Sequence, residues 1–388
     1  MRTTLLSKSS SSPTSNVINI ISISDIHLGH PRTETAHMIH GLRTGLMTDK
    51  IFADLDLLIF AGDVFDRDLR LPQYEVSLIH DWIVDLIRLC TLHGVILRVL
   101  EGTPSHDWRQ SKMFMEINAL LGNACDVAHV CDLQVEHLEK FDLSVLYIPD
   151  EYSETCHETK AKVSDLLLST LGVEVIDIIV MHGSFNYQYP KFQQGKIDCH
   201  NDQYYDSITR YFVTVGHVHR RGNWGKIWSQ GSWDCIAHGE PDPKGGIYVK
   251  LTLGKPEKTK VSWLVNHNAK VYKTVNLENV DPDMAVAVVH DHAVKLPAGS
   301  NIRVVAQKDH PVLGTIQQLR IQYPQLVWSS KRVDSESEKA KLLTLPSAAK
   351  RMYRQINHDN IRETIRSRLG ELSNIDLTME ILEELLNE

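Results

Sequence analysis

The chain is predicted to fold as an α/β protein, and two features of its sequence lead to that prediction. In the first half, short apolar runs alternate with segments of helical periodicity, as strands and helices packed in layers do. From residue 224 to 265 the pattern changes to short strands with Gly-rich turns, which we expect to complete a second sheet. With 388 residues and 42% hydrophobic side chains, the chain is large enough for an extensive core.

Five apolar runs are predicted as strands: residues 17–23, 55–61, 95–100, 175–180 and 212–215. Four segments with helical periodicity accompany them: residues 31–49, 74–93, 109–121 and 159–171. Further along, residues 301–307 and 325–329 are predicted as strands on either side of a helix at 313–323. These elements indicate a second, smaller α/β region after residue 265.

A short polar cluster follows each of the five predicted strands. The clusters are Ser24-Asp25-Ile26-His27, Gly62-Asp63, Ser105-His106-Asp107, Met181-His182-Gly183 and Gly216-His217-Val218-His219. Because binding groups in an open α/β sheet collect where strands end, we expect the clusters to converge on one site. Carboxylates mixed with imidazoles suit Mn²⁺, Fe²⁺ or Zn²⁺ better than Mg²⁺, and we favour Mn²⁺. The set predicts a phosphoesterase with two divalent metal ions and a shared anionic ligand.

At these residues the chain resembles the calcineurin-like metallophosphoesterases. Ser-Asp-Ile-His-Leu-Gly at 24–29 and Gly-Asp-Val-Phe-Asp at 62–66 are similar to the SbcD branch of DNA double-strand-break repair nucleases. A second signature resembles that branch: Gln230-Gly231-Ser232, Ala237-His238-Gly239-Glu240 and Lys244-Gly245-Gly246. The resemblance implies a four-layer metallophosphoesterase β-sandwich flanked by helices, with a small α/β cap domain and a C-terminal helical segment.

The resemblance also implies a role for each site residue. Asp25, His27, Asp63 and His219 would hold the first metal ion, Asp63 would bridge, and His182 and His217 would hold the second. His106 would stand over the scissile phosphate, with Asp107 orienting it.

One loop departs from the family pattern. The family usually has Gly-Asn-His-Asp, whereas this chain has Gly-Thr-Pro-Ser-His-Asp at 102–107, two residues longer and with Ser105 in place of the Asn ligand. Ser105 would bind the second metal directly, bind it through water, or leave it loosely held, and Thr103 is the other candidate ligand.

By this resemblance the function would be that of an SbcD-like DNA nuclease. It would act as exonuclease or endonuclease at DNA ends or hairpins, together with an SbcC-like SMC-type ATPase, in DNA repair, recombination or replication. Two alternatives remain open: a small-molecule phosphomonoesterase or cyclic-nucleotide phosphodiesterase, and a binding scaffold of the same fold that has lost catalysis. Whether the chain forms a homodimer also stays open.

Composition indicates a disordered leader at 1–16, and the resemblance implies a nuclease domain at 17–265, a cap or DNA-binding domain at 266–345 and a helical partner-docking segment at 346–388. Residues 308–354 contain nine Lys or Arg and four Asp or Glu, a net of +5, and residues 355–388 contain three and eight, a net of −5. This pattern fits either DNA contact followed by a protein-binding tail or an ordinary solvated surface. The tail's last apolar stripe would dock on the ATPase or pack on its own domain: Met379, Ile381, Leu382, Leu385 and Leu386.

The remaining composition favours a cytoplasmic enzyme that does not enter a membrane. None of the six cysteines lies in a Cys-x-x-Cys pair, and no apolar run reaches the roughly 18 residues that a membrane span needs. The net charge of −8 is unusual for a DNA-binding protein, but two divalent ions would add about +4 where phosphates bind. Trp108, beside His106 and Asp107, is the best candidate for stacking on a base.

Overall fold

The computed structural model describes residues 16–333, apart from Leu71, Glu151, Val173 and Pro241. The described chain divides into two compact units, the first comprising residues 16–275 with 289–303 and 317–329, and the second comprising 276–288, 304–316 and 330–333. Nearly all of the predicted leader, the end of the predicted cap domain and the whole predicted docking segment lie outside the described residues. The proposed domain boundaries therefore stay predictions.

The first unit contains two six-stranded sheets. Their strands are β1 (Val17–Ile23), β2 (Leu57–Ala61), β3 (Ile96–Leu100), β4 (Val127–Val130), β5 (Gln134–Leu138), β6 (Leu143–Ile148), β7 (Ile176–His182), β8 (Thr209–Gly216), β9 (Arg221–Trp224), β10 (Ile227–Gln230), β11 (Gly245–Thr252) and β12 (Lys260–Val265). The orders are β12-β11-β1-β2-β3-β4 and β5-β6-β7-β8-β10-β9. Strands β1 to β4 are parallel, as are β6, β7, β8 and β10, and antiparallel strands complete both sheets. The predicted α/β class is confirmed.

Helices connect the parallel strands, as β-α-β crossovers require. They are α1 (Thr35–Gly45), α2 (Asp49–Phe52), α3 (Tyr74–His93), α4 (Pro104–Asp107), α5 (Met113–Leu120), α6 (Cys156–Leu166) and α7 (Asp202–Ser207). The prediction for α3 is correct to the residue. The single helix predicted at 31–49 is wrong, because Thr48 caps a separate helix by accepting a hydrogen bond from the Ile51 N–H at 3.3 Å.

The core of the first unit consists of three apolar interfaces between layers of helices and sheets. Helices α1, α3 and α5 cover one face of the first sheet, where Phe60 stacks on Trp82 with ring centroids 6.0 Å apart. The opposite face packs on the second sheet through side chains such as Ile59 and Val180. The outer face of the second sheet packs on α6 and α7, which contribute Val163 and Tyr205. The layers are therefore helix, sheet, sheet and helix.

After β12 a three-stranded sheet has the order β13-β14-β15. Its strands are β13 (Tyr272–Asn276), β14 (Asn301–Gln307) and β15 (Val327–Val333), and the chain between them forms α8 (Pro282–Ala293) and α9 (Val312–Gln322). The predictions for β14 and α9 agree within one residue. The strand predicted at 325–329 begins later, because the Leu326 N–H turns back to the Tyr323 carbonyl at 3.1 Å.

The structure is consistent with two of the compositional expectations. In the described part of the chain, no helix combines the length and the apolar character that crossing a membrane requires. All six cysteines are free thiols. The cytoplasmic location remains an expectation.

Arg98 joins the two large sheets inside the first unit. Its side chain is only 4% exposed, and its guanidinium reaches Glu136 on β5 with two donors, at 2.6 and 2.9 Å, and Asp126 at 2.9 Å. The Tyr147 hydroxyl donates to the same Glu136 carboxylate at 2.8 Å. The pairing satisfies a charge that burial would otherwise penalise strongly.

We expect Arg98→Met to lower the free energy of unfolding by about 3 kcal/mol, because it leaves the Glu136 carboxylate without its cation between the sheets. The measurement is urea unfolding followed by circular dichroism. Arg43→Met is the matched control, since Arg43 and Asp85 form an exposed ion pair worth about 1 kcal/mol or less. Equal losses in the two variants would show that Arg98 is not a structural link.

Candidate metal centre

The predicted ligands lie at the carboxyl ends of strands from both large sheets. Asp25 and Asp63 follow β1 and β2, and His217 follows β8. His182 was expected just after a strand, but β7 continues through it, so it is the last residue of that strand. The ends of the two sheets thus bring side chains from distant parts of the sequence to one place, as predicted.

The backbone at this place is unusual. Asp25, His27 and Asp63 have φ values of 50°, 56° and 50°, and His217 has 99°. The left-handed region costs an L-residue roughly 1–2 kcal/mol. Such conformations concentrate at functional sites, where the surrounding structure maintains them. Four candidate ligands have a positive φ. The structure at this edge of the sheets therefore holds their side chains in defined orientations.

The Oδ2 atom of Asp63 is the centre of the site. It lies 2.8 Å from His106 Nδ1, 3.3 Å from His182 Nε2 and 3.8 Å from His27 Nε2. The other carboxylate oxygen accepts a hydrogen bond from the Thr103 N–H at 2.6 Å. One oxygen of Asp63 is thus held by the backbone, and the other is surrounded by imidazoles.

His27 and His219 face each other through their Nε2 atoms, which are 3.1 Å apart. Their Nδ1 atoms face carboxylates: Asp66 lies 3.1 Å from His27, and Glu240 lies 3.0 Å from His219. A carboxylate beside Nδ1 favours a proton there and leaves a lone pair on Nε2. When both Nε2 atoms are unprotonated they can present their lone pairs to one ion, so this pair fits a metal ion.

His182 gives an independent test of that fit. Its Nδ1 lies 2.7 Å from the Ala61 carbonyl, so this nitrogen carries the proton. Its Nε2 is buried and has no hydrogen-bond partner in the described part of the chain. A buried polar atom without a partner is costly. A metal ion beside Asp63 would satisfy it.

Three groups of side chains have ligand atoms that all lie within 4.8 Å of one another: Asp25, His27 and His219; His27, Asp63 and His106; and Asp63, His182 and His217. The structure therefore brings together all six of the predicted Asp and His ligands. Asp63 and His27 each belong to two groups, which is the arrangement that neighbouring metal ions need. The number and identity of the ions remain predictions.

Charge interactions shift the pKa values in this cluster. Burial opposes ionisation of Asp25, but the hydrogen bond and charge of His219 outweigh it and lower its pKa to about 2. Burial likewise opposes the charge on His219, yet Asp25 and Glu240 raise its pKa to about 9. The pKa of Asp63 also falls below its ordinary value, since the charge of His182 and the hydrogen bond to His106 outweigh burial. In the absence of metal, the protonated imidazoles of His182 and His219 balance the charge of these carboxylates.

Asp107 does not have its predicted contact. Its buried carboxylate accepts hydrogen bonds from the backbone N–H groups of Gly102 at 2.7 Å, Phe65 at 2.9 Å and Asp63 at 3.1 Å. Across the described residues, no hydrogen bond joins it to His106, which contacts Asp63 instead. The orienting role for Asp107 is therefore corrected: it joins the loop after β2 to the loop after β3 and so positions Asp63.

The loop after β3 also separates the two hydroxyl candidates. Ser105 is exposed, and in the described structure its hydroxyl has no partner. The Thr103 hydroxyl lies 3.0 Å from Asp150 Oδ2 and 3.3 Å from Asp63 Oδ2. Thr103, not Ser105, thus lies next to Asp63 and Asp150, beside the predicted ligands of the second metal ion.

Sequence reasoning missed Asp150. Its Oδ2 atom is 3.5 Å from His217 Nδ1, so it lies at the edge of the site. The signal was present, because Pro149-Asp150 follows the apolar run 143–148 as the other polar clusters follow their strands. Asp66 was likewise quoted in a motif without a role, although it holds His27.

Comparison with known proteins adds little. No protein-family model matches the chain, and no curated protein matches it. One solved crystal structure, of a protein without a stated name, has 12% identity and a TM-score of 0.38, with 64% of this chain and 99% of that chain covered. The crystal structure of TT1561 of Thermus thermophilus has 11% identity and a TM-score of 0.34, with 64% of this chain and 99% of that chain covered. Likenesses this low carry no argument about fold or function.

We expect Thr103→Val to weaken binding of the second Mn²⁺, because it removes the hydroxyl between Asp63 and Asp150 while keeping the side chain's shape. Ser105→Ala, two residues away, should bind Mn²⁺ as the wild type does. Isothermal titration calorimetry with Mn²⁺ compares the variants. The interpretation is wrong if Ser105→Ala loses the second binding step and Thr103→Val keeps it.

A second pair of variants separates metal binding from chemistry. His106→Ala should retain near-normal metal content, because its side chain is 37% exposed and stands at the surface of the cluster, while turnover falls about 10²- to 10⁴-fold. His182→Ala should lose metal, since its Nε2 is buried with no other partner in the described chain. Elemental analysis gives the metal content. Equal metal loss in both variants would identify His106 as a ligand.

Proposed function

We propose that the chain is a metal-dependent phosphodiesterase that cleaves DNA, similar to the SbcD nucleases. The observation that carries this proposal is the Asp63 carboxylate, which two groups of candidate ligands share. A shared carboxylate with imidazoles on both sides is typical of two-metal hydrolases that act on phosphate esters. The sequence motifs at 24–29, 62–66 and 216–219 support the same proposal by resemblance.

The chemistry follows from the side chains present. Divalent ions held by Asp25, His27, Asp63, His182, His217 and His219 would supply Lewis-acid activation of water and neutralise charge on the phosphate. His106 is the accessible imidazole beside Asp63, and this position suits a proton donor to the leaving oxygen. Glu240 fixes the ring orientation of His219 through its hydrogen bond with Nδ1, and the Asp66 carboxylate lies 3.1 Å from His27 Nδ1.

A polymeric phosphodiester suits the surroundings better than a small phosphomonoester. A cavity of about 450 Å³ is lined by Lys191, Tyr187, Tyr189 and Arg220, among others, and Arg220 is the residue after His219 in the sequence. Cations attract the phosphate backbone, and aromatic rings stack on exposed bases. A strand of nucleic acid that continues past the scissile bond would contact this surface, whereas a small substrate would end before it.

The partner proposal rests on resemblance alone. We propose that an SbcC-like SMC-type ATPase controls access to the site and that the segment 346–388 docks on it. That segment lies outside the described residues, so its apolar stripe contributes no structural argument.

We expect the purified protein to cleave linear DNA in Mn²⁺ and to lose this activity in EDTA. Asp63→Asn should lose both bound metal and cleavage, because the amide removes the charge that two groups of ligands share. Asp81→Asn, at an exposed acid on α3, is the matched control and should behave as the wild type does. Gel analysis of labelled DNA and elemental analysis measure the two properties.

Substrate choice separates the alternatives in the same experiment. Hydrolysis of p-nitrophenyl phosphate or of a cyclic nucleotide with no cleavage of DNA would favour the small-molecule enzyme. Metal binding with no hydrolysis of any of these substrates would favour the scaffold. Absence of bound transition metal in the wild type would contradict the proposal itself.

A further inference from the structure

A second cavity, also of about 450 Å³, adjoins the metal site at Asp150. Trp108, Arg109 and Tyr152 line it together with Gly102, Pro104 and Asp150. Asp150 belongs to both places, since its Oδ2 is 3.0 Å from the Thr103 hydroxyl and 3.5 Å from His217 Nδ1. A group bound in this cavity would therefore be next to a phosphate held at the metal site.

Trp108 is held in an unusual way for a surface residue. Its side chain is 56% exposed, and its backbone has a φ of 50°, a conformation that is an outlier for a bulky residue. The indole N–H donates to the Ser105 carbonyl at 2.7 Å, within the loop that carries His106. The hydrogen-bonding capacity of the ring is thus already used, and the ring is held in place. The face of the indole ring remains available for stacking on a ligand.

The charges of the cavity argue against a phosphate as the ligand. Among the lining residues that the structure describes, one is a cation, Arg109, and two are carboxylates, Glu101 and Asp150. Both oxygens of Glu101 are engaged, one by the Arg109 backbone N–H at 2.5 Å and the other by His129 Nε2 at 2.7 Å. A second phosphate would meet more negative than positive charge. A neutral planar group would meet no such penalty.

Two other lining residues, Tyr152 and Arg109, suit the same kind of ligand. Lys162 Nζ lies 5.1 Å from the centroid of the Tyr152 ring, so a cation lies over one face of that ring. The same ammonium group donates a hydrogen bond to Ser153 at 3.0 Å. The Arg109 guanidinium makes no ion pair with any residue that the structure describes, so its plane is available for stacking. Two aromatic side chains and a free guanidinium therefore line one small cavity.

We propose that this cavity binds one unpaired nucleobase of the nucleic acid beside the scissile phosphate, with Trp108 as the stacking platform. The inference rests on the proposed function and deepens it by naming a substrate class. A base can enter the cavity only after it has left its pair and its stack. The preferred substrate is therefore a single strand or a frayed end, and intact duplex is cleaved more slowly.

The test compares two strands of equal length, oligothymidylate and a strand of abasic tetrahydrofuran units with the same phosphates and no bases. With Mn²⁺, Trp108→Ala should cleave oligothymidylate between about 5-fold and 150-fold more slowly than the wild type, the range for losing one stacked base. It should cleave the abasic strand at the wild-type rate. Trp108→Phe, which keeps a ring, should retain most of the activity on oligothymidylate.

Binding supplies a readout that does not depend on cleavage. Fluorescence anisotropy of labelled strands in Ca²⁺ should show weaker binding of oligothymidylate by Trp108→Ala and unchanged binding of the abasic strand. Tyr74→Ala is the matched control, because Tyr74 is an aromatic residue 71% exposed that lines neither cavity. It should behave as the wild type does with both strands.

The outcomes separate this inference from the proposed function. Equal losses on both strands would overturn it, since Trp108 would then only position the loop of His106, and no loss on either strand would overturn it too. A wild type that binds oligothymidylate through Trp108 but cleaves neither strand would contradict the nuclease and support the base site. A wild type that cleaves both strands at equal rates, with no effect of Trp108→Ala, would support the nuclease and overturn the base site.

Discussion

The crowding of imidazole nitrogens around one oxygen of Asp63 is the constraint on which the rest of the site depends. Three of these nitrogens lie within 3.8 Å of that oxygen, and the His182 nitrogen is buried with no other partner in the described chain. Clustered carboxylates and a buried imidazole nitrogen without a hydrogen bond are unfavourable in a dry interior unless positive charge lies beside them. The arrangement is therefore best explained as a site whose stable state contains metal, and the carboxylates behind His27 and His219 prepare their rings for it.

The surrounding backbone makes this crowding possible. Gly62 has a φ of 89°, and a Cβ there would lie 2.2 Å from His182 Nδ1. A Cβ on Gly102 would lie 2.1 Å from the Asp63 backbone nitrogen. Asp107 then ties the loops of these two glycines together by accepting three backbone N–H bonds. Glycine at the points of closest approach and one buried carboxylate between the loops together fix where the Asp63 side chain points.

The sequence predicted those parts of the molecule that follow from local pattern. Helix α3 and strands β1 and β14 have the predicted bounds, because their periodicity is long and continuous. The six predicted Asp and His ligands converge because the ends of the strands meet at one edge. This rule does not depend on the conformation of the loops. The failures lie where loop conformation decides the result: Thr103 and Ser105 differ by two positions in one loop, and only the fold turns the first inward. Asp107 was given a role by its place in a motif. Two of its hydrogen-bond donors, the backbone N–H groups of Asp63 and Phe65, are distant from it in the sequence, so the motif could not indicate them.

The acidic composition bears on how such a site would hold nucleic acid. Electrostatic affinity for DNA grows with the number of phosphates that Lys and Arg neutralise. This chain has a net charge of −8, and the described lining of the cavity at Trp108 contains a single cation, Arg109. Under the proposed function, binding would draw on two other terms: divalent ions, which the cluster would hold, and aromatic faces such as that of Trp108. Both act only close to the scissile bond, so they favour a strand already opened at that point over a long contact along intact duplex.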